Sequence, residues 1–275
     1  MFRNLPRELL IALRVTLVIA AVGGLIYPLA MTGVAQLIFP GQANGSLMTG
    51  SNGTVIGSSL IGECYFQPNA AKTNFLQTAP YETGSSPQKT GEVFYAVDPR
   101  YFQGRPSYVQ VSGPKADGGL QVIPLDPPCE SNNSQGSNLA ASNPYLVQRV
   151  DTYAEYLHCL GVDATVSFTA AQLPLVAQDP AKYCPGAVSD AKAIPVDLVT
   201  GDFTSFDPDI SQASALAQVD MVATERGISP SSLTALVDAN VTGRSAALFG
   251  EPVVDVLQLN LALNKKFGPP PALPS

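Results

Sequence analysis

Val15-Thr-Leu-Val-Ile-Ala-Ala-Val-Gly-Gly-Leu-Ile-Tyr-Pro-Leu-Ala-Met-Thr-Gly-Val-Ala-Gln-Leu-Ile-Phe39 runs without an Asp, Glu, Lys, Arg or His. As a helix rising about 1.5 Å per residue it would be roughly 37 Å long, more than a hydrocarbon core of roughly 30 Å requires. The apolar stretch of a secretion signal is shorter, about 7–15 residues. The reading is a retained transmembrane helix over 15–39. Pro28 removes one backbone donor and kinks the span. Gly23, Gly24 and Gly33 leave small faces on which a second helix could pack closely. Arg3, Arg7 and Arg14 precede the span, and the next basic residue after it is Lys72. The positive-inside rule then sets residues 1–14 in the cytoplasm and the remainder outside.

Outward from the span, residues 40–268 read as a single extracytoplasmic domain of α+β class, strands early and helices late, with residues 269–275 as a mobile tail. The 24 prolines and 23 glycines point to many connections. The chain carries a net charge of −7, and the Arg-rich N-terminus makes the rest more negative still. Such a domain repels nucleic acid and anionic lipid surfaces. Gly53 to Ile61 reads as a strand, and so does Ile194 to Thr200. Pro144 to Leu160 reads as a helix. Ser211 caps a helix that Arg226 and Gly227 end, with Ala213, Leu216, Val219 and Val222 as its apolar stripe. Pro230 and Pro252 each start a further helix. Four cysteines, Cys64, Cys129, Cys159 and Cys184, all follow the span and form no CxxC pair. In an oxidising compartment they read as two disulfides with three connectivities open, against four buried free thiols.

Catalytic signatures fail one by one. There is no P-loop and no GxGxxG. Gln88-Lys89-Thr90-Gly91 has the shape of a P-type phosphorylation loop, but a glutamine stands where the aspartate must form the acyl phosphate. Ser189-Asp190-Ala191-Lys192 and Lys89-Thr90-Gly91 stand in the wrong order for a penicillin-recognising enzyme. The single histidine, His158, lies on a helix beside Cys159 and offers neither a triad nor a metal set. Asp202, Asp207 and Asp209 read as turn and helix-start residues rather than cation ligands. Glu251 and Asp255 likewise sit around a helix start.

One ordered series of short motifs carries a resemblance. It runs Leu25-Ile-Tyr27-Pro28-Leu29, Gln42-Ala-Asn44-Gly45-Ser46-Leu47, Gly57-Ser-Ser-Leu-Ile-Gly62 and Tyr101-Phe102-Gln103-Gly104-Arg105-Pro106-Ser107. It continues through Gly136-Ser137-Asn138-Leu139, Ser142-Asn143-Pro144, Pro195-Val-Asp197-Leu-Val-Thr200 and Asp207-Pro208-Asp209-Ile210-Ser211. It ends with Ala215-Leu-Ala-Gln218-Val219, Leu248-Phe249-Gly250-Glu251-Pro252, Val256-Leu257 and Leu259-Asn260-Leu261-Ala262-Leu263. In these the chain resembles the C subunit of the Kdp potassium-importing P-type ATPase, while residues 65–96, 108–135 and 160–192 look like expanded loops. The resemblance implies a non-catalytic subunit of the bacterial inner membrane. Its partners would be a channel-like potassium-binding subunit, the ATP-hydrolysing subunit and a small single-span subunit. It implies a role in assembly and as a catalytic chaperone that raises ATP affinity, and no cofactor other than ATP. Gln218 is the residue likened to a nucleotide-contacting signature glutamine. On the topology above it lies on the side away from ATP and reads as a helix-surface residue. Tyr27, Pro28, Gly33, Arg105, Asn138, Asn143, Asp197 and Asp207 are the structural or interface residues implied by the same motifs. The competing reading is a membrane-anchored extracytoplasmic binding module.

Overall fold

The computed structural model describes residues 5–50, 53–66, 75–77, 93–95, 97–106, 111–114, 120–123, 140, 142, 144–162, 194–201, 204, 206–244 and 248–271. The sequence-predicted sites Asn138, Asn143, Cys129 and Cys184 lie outside them. The chain divides into two compact units, residues 1–58 and 59–275.

In the first unit, helix α1 (Leu5–Ala21) passes through a π-helical turn at Val22–Ile26 into α2 (Tyr27–Ile38). The whole is apolar and long enough, from Pro6 to Ile38, to cross a membrane. The helix thus begins before the uncharged stretch, because Glu8 and the arginines suit a helix as well as the residues that follow. A one-turn helix α3 (Pro40–Ala43) ends it and a hairpin follows, β1 (Leu47–Thr49) against β2 (Val55–Ser58). The Asn-Gly-Ser motif makes this exit. The Asn44 amide donates to Pro40 O at 2.7 Å and exchanges bonds with the Gln36 amide at 3.2 and 3.3 Å. Gly45 turns with φ +89°, a conformation that costs glycine little. The Ser58 hydroxyl donates back to Gly45 O at 2.7 Å.

In the second unit, short antiparallel hairpins come first: β3 (Phe75–Gln77) with β4 (Val93–Tyr95), and β5 (Val111–Pro114) with β6 (Leu120–Ile123). Helix α4 (Pro144–Cys159) follows, as its periodicity predicts. Ile194 to Thr200 is not a strand. Pro195 opens a single helical turn, α5 (Val196–Val199), that buries Leu198 and Val199. A short apolar run does not distinguish these outcomes, and here the Asp197 carboxylate is turned toward Ser211 and Ser214, whose donors it accepts.

The C-terminal third is a three-stranded antiparallel sheet covered by helices. Its order is β7 (Asp209–Ser211), β9 (Val253–Asp255), β8 (Val241–Thr242). The helix predicted from Ser211 to Gly227 is two helices, α6 (Gln212–Ala217) and α7 (Val219–Arg226), broken at Gln218. The break turns the first half, so Ser214 and Ala215 are buried there while Ala213 and Leu216 face out. Ser211 caps α6 as expected, and Gly227 closes α7 in the left-handed conformation with φ +63°. Ile228 N–H reaches Ala223 O at 3.0 Å to satisfy the freed carbonyl. Helix α8 (Pro230–Ala239) starts at its predicted proline, capped by Ser229.

The segment after Pro252 is a strand before it is a helix. Val253 and Val254 are β-branched and pair on both sides. Asp255 then caps α9 (Val256–Phe267), accepting from Gln258 N–H at 2.8 Å. Ile210, Met221, Leu233, Val237, Val254, Leu259 and Leu263 are almost wholly buried between sheet and helices, with Phe102, Tyr156 and Leu157 in the same core. The tail is held further than expected: Arg226 donates to Gly268 O, and Arg100 to Pro271 O at 2.6 Å.

Candidate functional site

Residues 97–106 contain the Tyr-Phe-Gln-Gly-Arg-Pro motif and, past the bridge between Phe66 and Val97, form no strand, yet they run through the core. A buried peptide group must find partners. Here side chains supply them. Phe102 N–H donates to Asn260 Oδ1 at 3.0 Å, and Asn260 Nδ2 donates back to Phe102 O at 2.8 Å. The next residue repeats the pattern: Gln103 N–H donates to Gln218 Oε1 at 2.6 Å, and Gln218 Nε2 donates to Gln103 O at 3.1 Å. A primary amide carries one acceptor and two donors on a plane, so each side chain acts as a peptide group of an absent neighbouring strand. The second donor of Gln218 goes to Ser214 O at 3.1 Å. Gln218 and Asn260 are each 1% exposed.

The rest of the segment is held the same way. Tyr156 Oη accepts from Val97 N–H at 3.0 Å, and Tyr65 O from Asp98 N–H at 2.8 Å. Burial pushes the phenol pKa of Tyr65 and Tyr156 up, so both stay neutral. The Gln103 amide donates to Asp98 O and Tyr101 O at 2.7 and 2.9 Å. Asp98 binds the Arg100 guanidinium through both oxygens, at 2.7 and 2.5 Å. The Arg226 guanidinium lies 5.6 Å from the centre of the Tyr101 ring, which is tilted on Tyr65 at 4.8 Å.

Two further motif residues do similar work. The Asp197 carboxylate accepts from Ser211 N–H at 2.7 Å, from the Ser211 hydroxyl at 3.3 Å and from the Ser214 hydroxyl at 2.5 Å. Burial opposes its charge, but the hydrogen bonds from Ser214 and Ser211 outweigh burial and hold its pKa below the usual value. Asp207 accepts from Asp209 N–H at 3.1 Å and pairs with Arg105 at 3.6 Å. Burial, then the charges of Asp207 and Asp255, push the Asp209 carboxyl up. Asp209 and Asp255 stand opposite each other in the sheet register, and among the described residues no group of three metal-ligating side chains forms.

Beside Arg105 lies a cavity of about 10 Å³ lined by Gly62, Glu63, Gly104, Asp207, Pro208 and Val256 among others. That is room for about one water molecule and none for a nucleotide. Gly62 closes it: its N–H donates to Phe206 O at 2.7 Å, and a Cβ there would stand 2.6 Å from Asp207 O.

Gln218 is therefore not a surface residue. Its position at a helix break turns it inward, and its amide is used on backbone groups. Cys64 is disulfide-bonded, whereas Cys159 is buried and stands outside any disulfide. This corrects the expectation of two disulfides, because Cys159 sits on the inner face of α4 beside Tyr156 and His158, within the core. Sequence reasoning quoted Gln103 and Asn260 within the motif series but gave neither a role; an amide on the apolar face of α9 was the available signal.

Tyr27, Pro28 and Gly33 all lie on the membrane-length helix. Among the described residues one helix is long and apolar enough to cross a membrane, and it is joined in sequence to a mixed domain whose motif residues serve its own backbone, the pattern of a membrane-anchored protein. The family described as KdpC, the K+-transporting ATPase c chain, matches residues 9–265. The potassium-transporting ATPase KdpC subunit of Rhodopseudomonas palustris (strain BisB5) is 36% identical over 258 residues, covering 94% of this chain and 96% of that protein. The KdpC subunit of Streptomyces coelicolor is 34% identical over 266 residues, covering 97% and 96%. The chain belongs to the KdpC family.

Proposed function

We propose that the chain is the non-catalytic accessory subunit of an ATP-driven potassium import complex. It is anchored by its single span with the N-terminus in the cytoplasm and the domain outside. The observation that carries this is the use to which the family motifs are put. Gln218, Asn260, Asp197 and Gly62 all satisfy or admit backbone within the chain, leaving no nucleophile, acid–base pair or nucleotide cleft built from them. Three arginines before the span and a disulfide at Cys64 support the outward domain. The partners are the channel-like potassium-binding subunit, the ATP-hydrolysing subunit and a small single-span subunit. The chain acts as a catalytic chaperone: its effect on ATP affinity runs through contacts with these subunits, not through nucleotide held at Gln218.

The test is a pull-down of the tagged chain in mild detergent from native membranes, with partners identified by mass. Recovery of a multi-span protein together with a P-type ATPase is expected. Recovery of the chain alone, under conditions that preserve other membrane complexes, overturns the reading in favour of an anchored binding module.

A further inference from the structure

The membrane helix departs from α-helical hydrogen bonding near its middle. At the π turn the Tyr27 N–H donates to Val22 O. In an unbroken α-helix that donor would go to Gly23 O. The α-helical donor for Gly24 O would be the N–H of residue 28, which is proline and has none. Two consecutive carbonyls thus lose their α-helical donors. The nearest N–H left, that of Leu29, belongs in an α-helix to Leu25 and serves one carbonyl at most. Hydroxyl side chains can fold back onto the carbonyl three or four residues earlier, but Ile26, Tyr27 and Pro28 occupy those positions here. Hydrocarbon offers no donor, so an open carbonyl at this depth is costly.

The same carbonyls are accessible. They belong to two glycines, and a Cβ placed on either meets nothing within 4 Å. We infer that the Gly23–Gly24 notch is the docking site for a transmembrane helix of another subunit, one that presents a Ser, Thr, Asn or Gln donor to these carbonyls. A second, parallel copy of this chain does not fit, because it would set acceptors opposite acceptors at the same depth. The inference rests on the accessory-subunit reading and adds the depth of the contact and its chemistry.

The test uses the full chain in its native membrane. Gly24→Leu covers the notch, and Ala30→Leu adds bulk elsewhere on the span. From the usual worth of an interhelical hydrogen bond, Gly24→Leu lowers recovery of partner subunits about three- to tenfold; Ala30→Leu changes it less. A semisynthetic chain with one isotope-labelled carbonyl at Gly24 gives a second readout. Its infrared band moves to lower frequency in the complex than in the isolated chain in lipid. Undiminished recovery with Gly24→Leu, equal loss with Ala30→Leu, or an unshifted band each overturns the docking site. Absence of any partner with the wild-type chain overturns the accessory-subunit reading itself.

Discussion

Replacing Gln218 by alanine separates a structural role from a nucleotide role. The change removes the acceptor of Gln103 N–H and the donor to Gln103 O, both inside the core. Each buried backbone group left without a partner costs about 1–3 kcal/mol, so the pair predicts a loss of about 2–6 kcal/mol before any cavity term. For a domain of this size that corresponds to a fall in Tm of about 4–24 °C. Thermal unfolding of the full-length chain in detergent, with no nucleotide present, is the assay. Gln218→Glu sharpens it. A carboxylate accepts from Gln103 N–H but has no proton for Gln103 O or Ser214 O, and burial opposes its charge. It is expected to be at least as destabilising at neutral pH and to recover as pH falls. An unchanged Tm in Gln218→Ala together with lost ATPase stimulation in the complex would refute this reasoning and return the residue to a nucleotide role.

Three further outcomes follow from the same geometry. Asp197 has a lowered pKa in the folded chain, so its stabilisation is complete above about pH 4, the ordinary aspartate value, and is lost as pH falls through its folded pKa. Asp197→Asn should therefore be less stable than wild type at pH 7, with the gap narrowing in acid denaturation below pH 4. Gly62→Ala sets a methyl 2.6 Å from the backbone oxygen of Asp207, and overpacking of this kind costs about 1–3 kcal/mol, read as a lower denaturation midpoint with the slope unchanged. Reducing the disulfide at Cys64 should lower stability by about 2–5 kcal/mol, while Cys159 stays unreactive to a thiol reagent until the chain unfolds.

What the sequence made legible was what local chemistry decides. An uncharged 25-residue run has few fates, and the anchor followed from it. Ser211, Gly227 and Pro230 mark helix ends by mechanisms confined to one turn, and the structure uses each of them. The misreadings share a cause. Val253-Val254 is a strand because β7 and β8 flank it, and Ile194 to Thr200 is a helical turn because Ser211 and Ser214 offer donors to Asp197; in both cases the deciding partner is distant in sequence. Gln218 reads as polar and hence exposed unless the Phe102–Gln103 backbone across the core, 115 residues away for Gln103, is known to need a donor and an acceptor. That Cys159 stands outside any disulfide could not be told by counting.

The two amide clamps also say where subunit function can reside. Phe102 and Gln103 are consecutive, and their clamps come from different helices, α9 through Asn260 and the α6–α7 break through Gln218. The motif segment is thus fixed on both sides and cannot shift without exposing four buried backbone groups. Adding Asn260→Ala to Gln218→Ala should then cost less than the sum of the single changes, because either one frees the segment. Such coupling, measured as a double-mutant cycle on Tm, is expected between contacting sites and absent between independent ones. Strict additivity would show that the segment is held elsewhere. A segment locked in this way transmits no ligand signal by moving. The surfaces left for communication with other subunits are those whose residues point outward, with Leu248 and Phe249, 75% and 70% exposed, on the soluble side and the apolar anchor in the membrane.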